Sequence, residues 1–271
     1  MNMKKITILN AILLSLVVGC DSSETPSPQI TQPAVKTQAK VAVEQKEDLV
    51  PIRVKEFQPQ IALPFCENKK CIEIEIQSIA TGDAWLDQWI AQQSALVIQD
   101  QIGLKQQMKL QQAIDAYVRA SDESQADKPY QLALYTRIPY QRKQYVLLQL
   151  GVDAQQHEQQ IKERYYYYVA DRETQKTLTL LSVIQPDQQI KMNHHIQTAY
   201  QEWLKQQSEE LRKLAPAKLY WGQADWFFDH DGLGLHYRNG EIAKNSPSFD
   251  LYLNLEQTQQ VTKPEIYQIM F

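Results

Sequence analysis

The polarity pattern divides the chain into three stretches. Residues 6–18 are almost free of polar side chains, residues 21–56 show no apolar period and no aromatic residue, and from residue 71 onward apolar positions recur regularly. In Cys71–Ile76, Ile72, Ile74 and Ile76 alternate with Glu73 and Glu75, the period of a half-buried strand. Trp85, Leu86, Trp89, Ile90, Leu96 and Val97 then fall at helical spacing, predicting a helix over Asp83–Gln99 with Asp83 as its N-cap. After Gly103 a second helix runs through Leu104, Met108, Ile114, Tyr117 and Val118. Four strand-like runs follow, at Tyr130–Ile138, Gln144–Val152, Ile161–Asp171 and Thr177–Ile184, with Pro139 in the connection between the first two. A long helix is predicted from Pro186 to Leu214, then strands at Ala224–His230, Leu233–Arg238 and Phe249–Leu255 and a tail through Pro264. Strand runs at hairpin spacing, with helices grouped between them, predict an α+β fold: an antiparallel sheet with packed helices.

The first stretch reads as a secretory signal. Lys4 and Lys5 precede the apolar run, and small residues close it. The run is well short of the roughly 20 residues that span a bilayer as a helix. Val17-Val18-Gly19-Cys20 resembles a bacterial lipobox, which implies cleavage after residue 19 and lipidation of Cys20. The partner at that end would be the lipid bilayer, and the location the cell envelope, facing the periplasm or the exterior. Residues 20–57 read as a disordered tether. With Pro26, Pro28, Pro33 and Pro51 among Ser, Thr, Gln and Lys, they cannot bury enough apolar surface to offset ordering. Residues 58–271 are then the folded domain.

Removing residues 1–19 takes away two lysines and no acid, shifting the formal charge from −4 to −6. That acidity argues against nucleic acid, which calls for a basic face. Cys66 and Cys71 are four residues apart in CENKKC, and an oxidising compartment makes a disulfide between them the natural expectation. No glycine-rich nucleotide motif and no metal-ligating set appears, so no cofactor and no metal is predicted.

No catalytic constellation stands out either. His194 and His195 are adjacent on a predicted helix and point about 100° apart, so they do not form an i, i+4 chelate. Glu73 and Glu75 share one strand face and read as solvated. Asp229-His230-Asp231-Gly232 is shorter than a calcium loop and reads as a turn between strands. His236, out of phase with Leu235, is expected to face solvent or a groove. Neither G-x-S-x-G nor S-x-x-K occurs. The stronger lead is aromatic. Tyr165–Tyr168 place two rings on each face of one strand, so one pair is expected in the core and the other free. Tyr165, Tyr167, Trp221 and Trp226 are the candidate ligand contacts, because Tyr and Trp bring large contact area with few rotors.

The segment WFFDHDGLGLHYRNGEIAKNS (Trp226–Ser246) followed by FDLYLNL (Phe249–Leu255) resembles the C-terminal signature of the RsiV-like family, domain of unknown function 3298. The opening CENKKCIEIEIQS and DAWLDQWI is similar to the start of such domains. The sequence departs from the family in lacking its Tyr-x-Gly-Gly-Ala-His element. The cytoplasmic anti-sigma segment and membrane-spanning helix of the lysozyme-sensing member are not seen in it either. The resemblance implies an envelope domain that binds lysozyme, another envelope protein or a cell-wall component, without signalling through a sigma factor. The alternatives are an enzyme acting on cell-wall glycan and a purely structural envelope lipoprotein.

Overall fold

The alternation seen in the sequence becomes the two faces of one sheet. The computed structural model describes residues 49, 51–65, 71–123, 129–156, 159–222 and 224–271. Cys20, the signal segment and Cys66 lie outside them, and so does the Cys66–Cys71 pairing; Cys71 itself is half-buried. Glu47–Phe271 cluster as one unit.

A six-stranded sheet runs in the order β1 (Lys55–Phe57), β2 (Glu73–Ala80), β3 (Gln131–Arg142), β4 (Tyr145–Gln156), β5 (Gln159–Asp171), β6 (Lys176–Leu178). Neighbours pair antiparallel except β2 with β3. That parallel pair departs from an all-antiparallel sheet. Its cause is the connection: helices α1 (Ala84–Asp100) and α2 (Leu110–Glu123) intervene, and a crossover of that length returns the chain in the same direction. Asp83 caps α1 as expected, its side chain accepting from the Leu86 amide at 3.0 Å. One face of the sheet buries Leu132, Leu134, Val146, Leu148, Leu150, Val152 and Tyr166 against α1 and α2.

The second layer is a three-stranded antiparallel sheet of β7 (Asp225–Phe228), β8 (Gly232–Tyr237) and β9 (Phe249–Asn254). It shares a core with α4 (Gln189–Lys205), α6 (Leu255–Val261) and α7 (Pro264–Met270) through Phe228, Leu233, Leu253, Ile196, Val261 and Met270. Tyr145, Leu147 and Val169, from the second face of the large sheet, belong to the same core. This layer therefore covers one end of that face. Among the described residues no helix is long and apolar enough to cross a membrane.

Several boundaries differ from expectation for local reasons. Lys55–Phe57 pair with β2 although all three are exposed, so backbone hydrogen bonding, invisible to composition, ends the tether earlier than residue 57. The Thr177–Ile184 run stops as a strand after Leu178, because Thr179 caps the four-residue α3 (Leu180–Val183). The long helix breaks after Lys205, and Ser208 caps a separate α5 (Glu209–Leu214). Pro139 sits inside β3, where the register shifts between Arg137 and Tyr140 and no amide is required of it. The C-terminal tail is helical, opened by a capping box between Asn254 and Gln257 and then by Pro264 at the start of α7.

Candidate functional site

Among the described residues, the second face of the large sheet is half covered and half open. Residues alternating along β3, β4 and β5 point to it: Gln131, Ala133, Tyr135 and Arg137; Gln149, Gly151 and Asp153; Tyr165 and Tyr167. Gly151 pairs with both Tyr135 and Tyr165, and Gln149 with both Arg137 and Tyr167, so these residues form two adjacent rows across three strands.

The tyrosine run splits as its spacing predicts. Tyr166 is buried on the helix side, its hydroxyl donating to Asp100 Oδ2 at 2.7 Å and accepting from Gln101 Nε2 at 2.9 Å. Tyr165 and Tyr167 take the other face and are half-buried. Tyr167 is clasped by the small sheet, with ring centroids 5.1 Å from Phe227 and 5.2 Å from His236. Tyr165 lies over Gly151 instead: a Cβ there would stand 3.2 Å from its Cε1 atom. Around Tyr165 opens a cavity of about 190 Å³, lined by Tyr135, Thr136, Arg137, Gln149, Gly151 and Tyr165. Tyr135 is 40 % exposed at its rim.

Trp221 and Trp226 need correcting. Their exposures are 8 % and 3 %, and both belong to the small-sheet core, with Trp226 Nε1 donating to the Leu178 carbonyl at 2.9 Å. Adjacency to a hairpin could not reveal that β6 and α4 close over them. His236 is corrected too. It is 5 % exposed because its face of β8 packs on β5, and its Nδ1 lies 2.6 Å from Asp250 Oδ1. The four residues 229–232 do form the β7–β8 turn. Asp229 Oδ1 accepts from the Asp231 and Gly232 amides, and Asp229, His230 and Asp231 keep their polar atoms close together at the surface. Glu73 and Glu75 are exposed and His194 lies on the surface of α4, as expected.

The seam between the layers holds charges that periodicity alone did not mark. On the side away from β4, β5 pairs with β6 only over Val169–Asp171, and Asp225 covers the edge beside Tyr167, its Oδ2 accepting from the Tyr167 amide. Arg238 pairs with Asp225 at 3.0 Å and with Glu241 at 3.2 Å, and its guanidinium stacks on Tyr166 at 4.4 Å. Burial pushes the Asp225 carboxyl up to about 6, although Arg238 pulls it down. Glu241, from the family-like Glu241-Ile242-Ala243 stretch, thus closes an ion cluster, and Ile242 joins the core.

No protein-family model matches the chain. No curated protein matches it either. Solved structures do. A DUF3298 family protein from Pseudomonas aeruginosa PAO1 superposes with a TM-score of 0.58 at 17 % identity, covering 80 % of this chain and 97 % of that one. The fold is that of DUF3298 proteins. A second member, from Bacteroides fragilis NCTC 9343, superposes with a TM-score of 0.55 at 12 % identity, covering 81 % and 97 %. The match agrees with the family resemblance carried by Trp226–Ser246.

Proposed function

We propose that this chain is an RsiV-like envelope lipoprotein, anchored through acylated Cys20, whose DUF3298-type domain binds a macromolecular ligand without turning it over. The observation that carries the reading is the uncovered end of the large sheet. There Tyr135, Tyr165 and Arg137 stand together beside the buried Gln149, the combination of aromatic and guanidinium groups that recurs at recognition surfaces. The shared fold and the C-terminal signature support the family reading. Lysozyme and cell-wall fragments are the ligands to test first, and a mature charge of −6 favours encounter with a basic partner.

Support for binding over catalysis comes from the histidine on this side of the sheet, which is buried although the Asp250 beside it lies at the surface. His236 is oriented by Asp250, as a general base would be, but its Nε2 atom is buried with no hydrogen-bond partner among the described residues. Calorimetric titration of the chain from residue 20, carrying Cys20→Ser, against lysozyme and peptidoglycan fragments is the test. Saturable heat with unaltered ligand is expected. Release of sugar or acetate from peptidoglycan would overturn the reading in favour of an enzyme. Labelling of cells with a palmitate analogue should mark the native chain and not Cys20→Ser; equal labelling would remove the anchor.

A further inference from the structure

The cavity at Gly151 is small, aromatic and cationic, and each property narrows what it can hold. We infer that it is a subsite for a single pyranose ring bearing a carboxylate, part of an acidic glycan. The inference deepens the binding reading above and rests on it.

Size comes first. About 190 Å³ is below the roughly 300–1,000 Å³ of pockets that enclose drug-sized ligands, so it admits one sugar ring and leaves the rest of a chain outside. The floor comes next. Gly151 has no side chain, and the Tyr165 ring lies over the space a Cβ would fill, with Tyr135 Cδ2 3.9 Å from the same point. Two tyrosines therefore flank a shallow slot at the one position of β4 where nothing projects. The negative face of an aromatic ring attracts weakly positive C–H edges, which a pyranose presents from its flat side.

The cation decides the class of sugar. Arg137 is exposed and makes no ion pair among the described residues. It is nevertheless held in place. Its Nε donates to Gln149 Oε1, and Gln149 Nε2 donates to the Tyr167 hydroxyl at 2.6 Å. Tyr167 is itself clasped by Phe227 and His236. The relay runs from the small sheet to the slot and leaves the two terminal nitrogens of Arg137 to meet a carboxylate side by side. Such fork-to-fork pairing gives both energy and orientation, and a side chain fixed beforehand loses little freedom on binding. Gln149 acts here as a positioning residue.

The experiment is ligand-observed NMR with the chain from residue 20 carrying Cys20→Ser, using N-acetylmuramic acid and glucuronic acid against their neutral counterparts, N-acetylglucosamine and glucose. The acids are expected to bind more tightly than the neutral sugars by about tenfold. Arg137→Gln should erase that preference, and Tyr165→Ala should abolish binding of both kinds. A thermal transition for each variant confirms that it is folded; if Tyr165→Ala is not, Gly151→Ala, which crowds the slot from its floor, replaces it. Equal binding of acid and neutral sugars, an unchanged preference in Arg137→Gln, or no sugar binding at all would overturn the inference. Lysozyme binding without sugar binding would sink this subsite and leave the macromolecular reading standing. Sugar binding without lysozyme binding would do the reverse for that partner.

Discussion

Tyr165 and Tyr167 stand two residues apart on one face of one strand, with the same side chain and similar burial, yet they belong to different environments. Tyr167 lies under the small sheet, wedged by Phe227 and His236 and hydrogen-bonded through Gln149. Tyr165 lies against Gly151 of its own sheet and lines the cavity beside it. The covered end is held by core packing and a half-buried ion cluster, whereas the open end is a presented surface. The difference teaches that the small layer does two jobs. It completes the core at one end of the face, and through the Tyr167–Gln149–Arg137 relay it stiffens what the other end displays.

That contrast predicts an uneven mutational map. The largest effect is expected at Gly232, which closes the β7–β8 turn and opens β8 against Asn254 of β9. A Cβ there would lie 2.0 Å from the Leu253 carbonyl oxygen, and φ is +148°, so Gly232→Ala should cost about 4 kcal/mol or more in chemical denaturation. A wild-type midpoint would refute the rigidity assigned to the covered end.

Next comes a pair of arginines. Arg238→Ala strands Asp225 without its counter-charge and should cost about 3–5 kcal/mol. Arg137→Ala, on the open end, should stay within about 0.5 kcal/mol of wild type. Equal losses would erase the distinction between the two ends.

The Asp225 carboxyl sharpens the same point through pH. Burial raises it from 3.8 to about 6, so the folded state binds its proton more tightly than the unfolded state. Its contribution to stability is therefore complete below about pH 4 and is lost as pH rises through 6. Asp225→Asn cannot titrate. Measured against wild type at pH 4 and again at pH 8, the variant should gain on the order of 2–3 kcal/mol. A difference that stays constant across that window would show that Asp225 is not buried against its charge.

The smallest contrast is between the tyrosines themselves. Tyr167→Ala removes a ring packed between two layers and should cost about 2 kcal/mol, while Tyr165→Ala should cost about half as much and act on ligand binding instead. The reverse order would place the rigid seam at the wrong end of β5.

Much of this fold could be read from residue order. The alternation of Ile72–Ile76, the Asp83 cap, the split of Tyr165–Tyr168 between two faces and the turn at Asp229–Gly232 all rest on local chemistry: a two-residue strand period, a side-chain acceptor for free helix amides, and a glycine where the backbone leaves the usual regions. Gly151 carried a local signal as well, since glycine within a strand marks a close approach. What only the tertiary structure decided was coverage. An amphipathic strand states which residues share a face and says nothing about whether another layer lies over it. That is why Trp221, Trp226 and His236, each placed near a surface by its local pattern, are buried, and why Tyr135, Arg137 and Gln149 drew no notice until β3, β4 and β5 set them side by side. Burial and juxtaposition depend on pairings between residues tens of positions apart, and no local period encodes them.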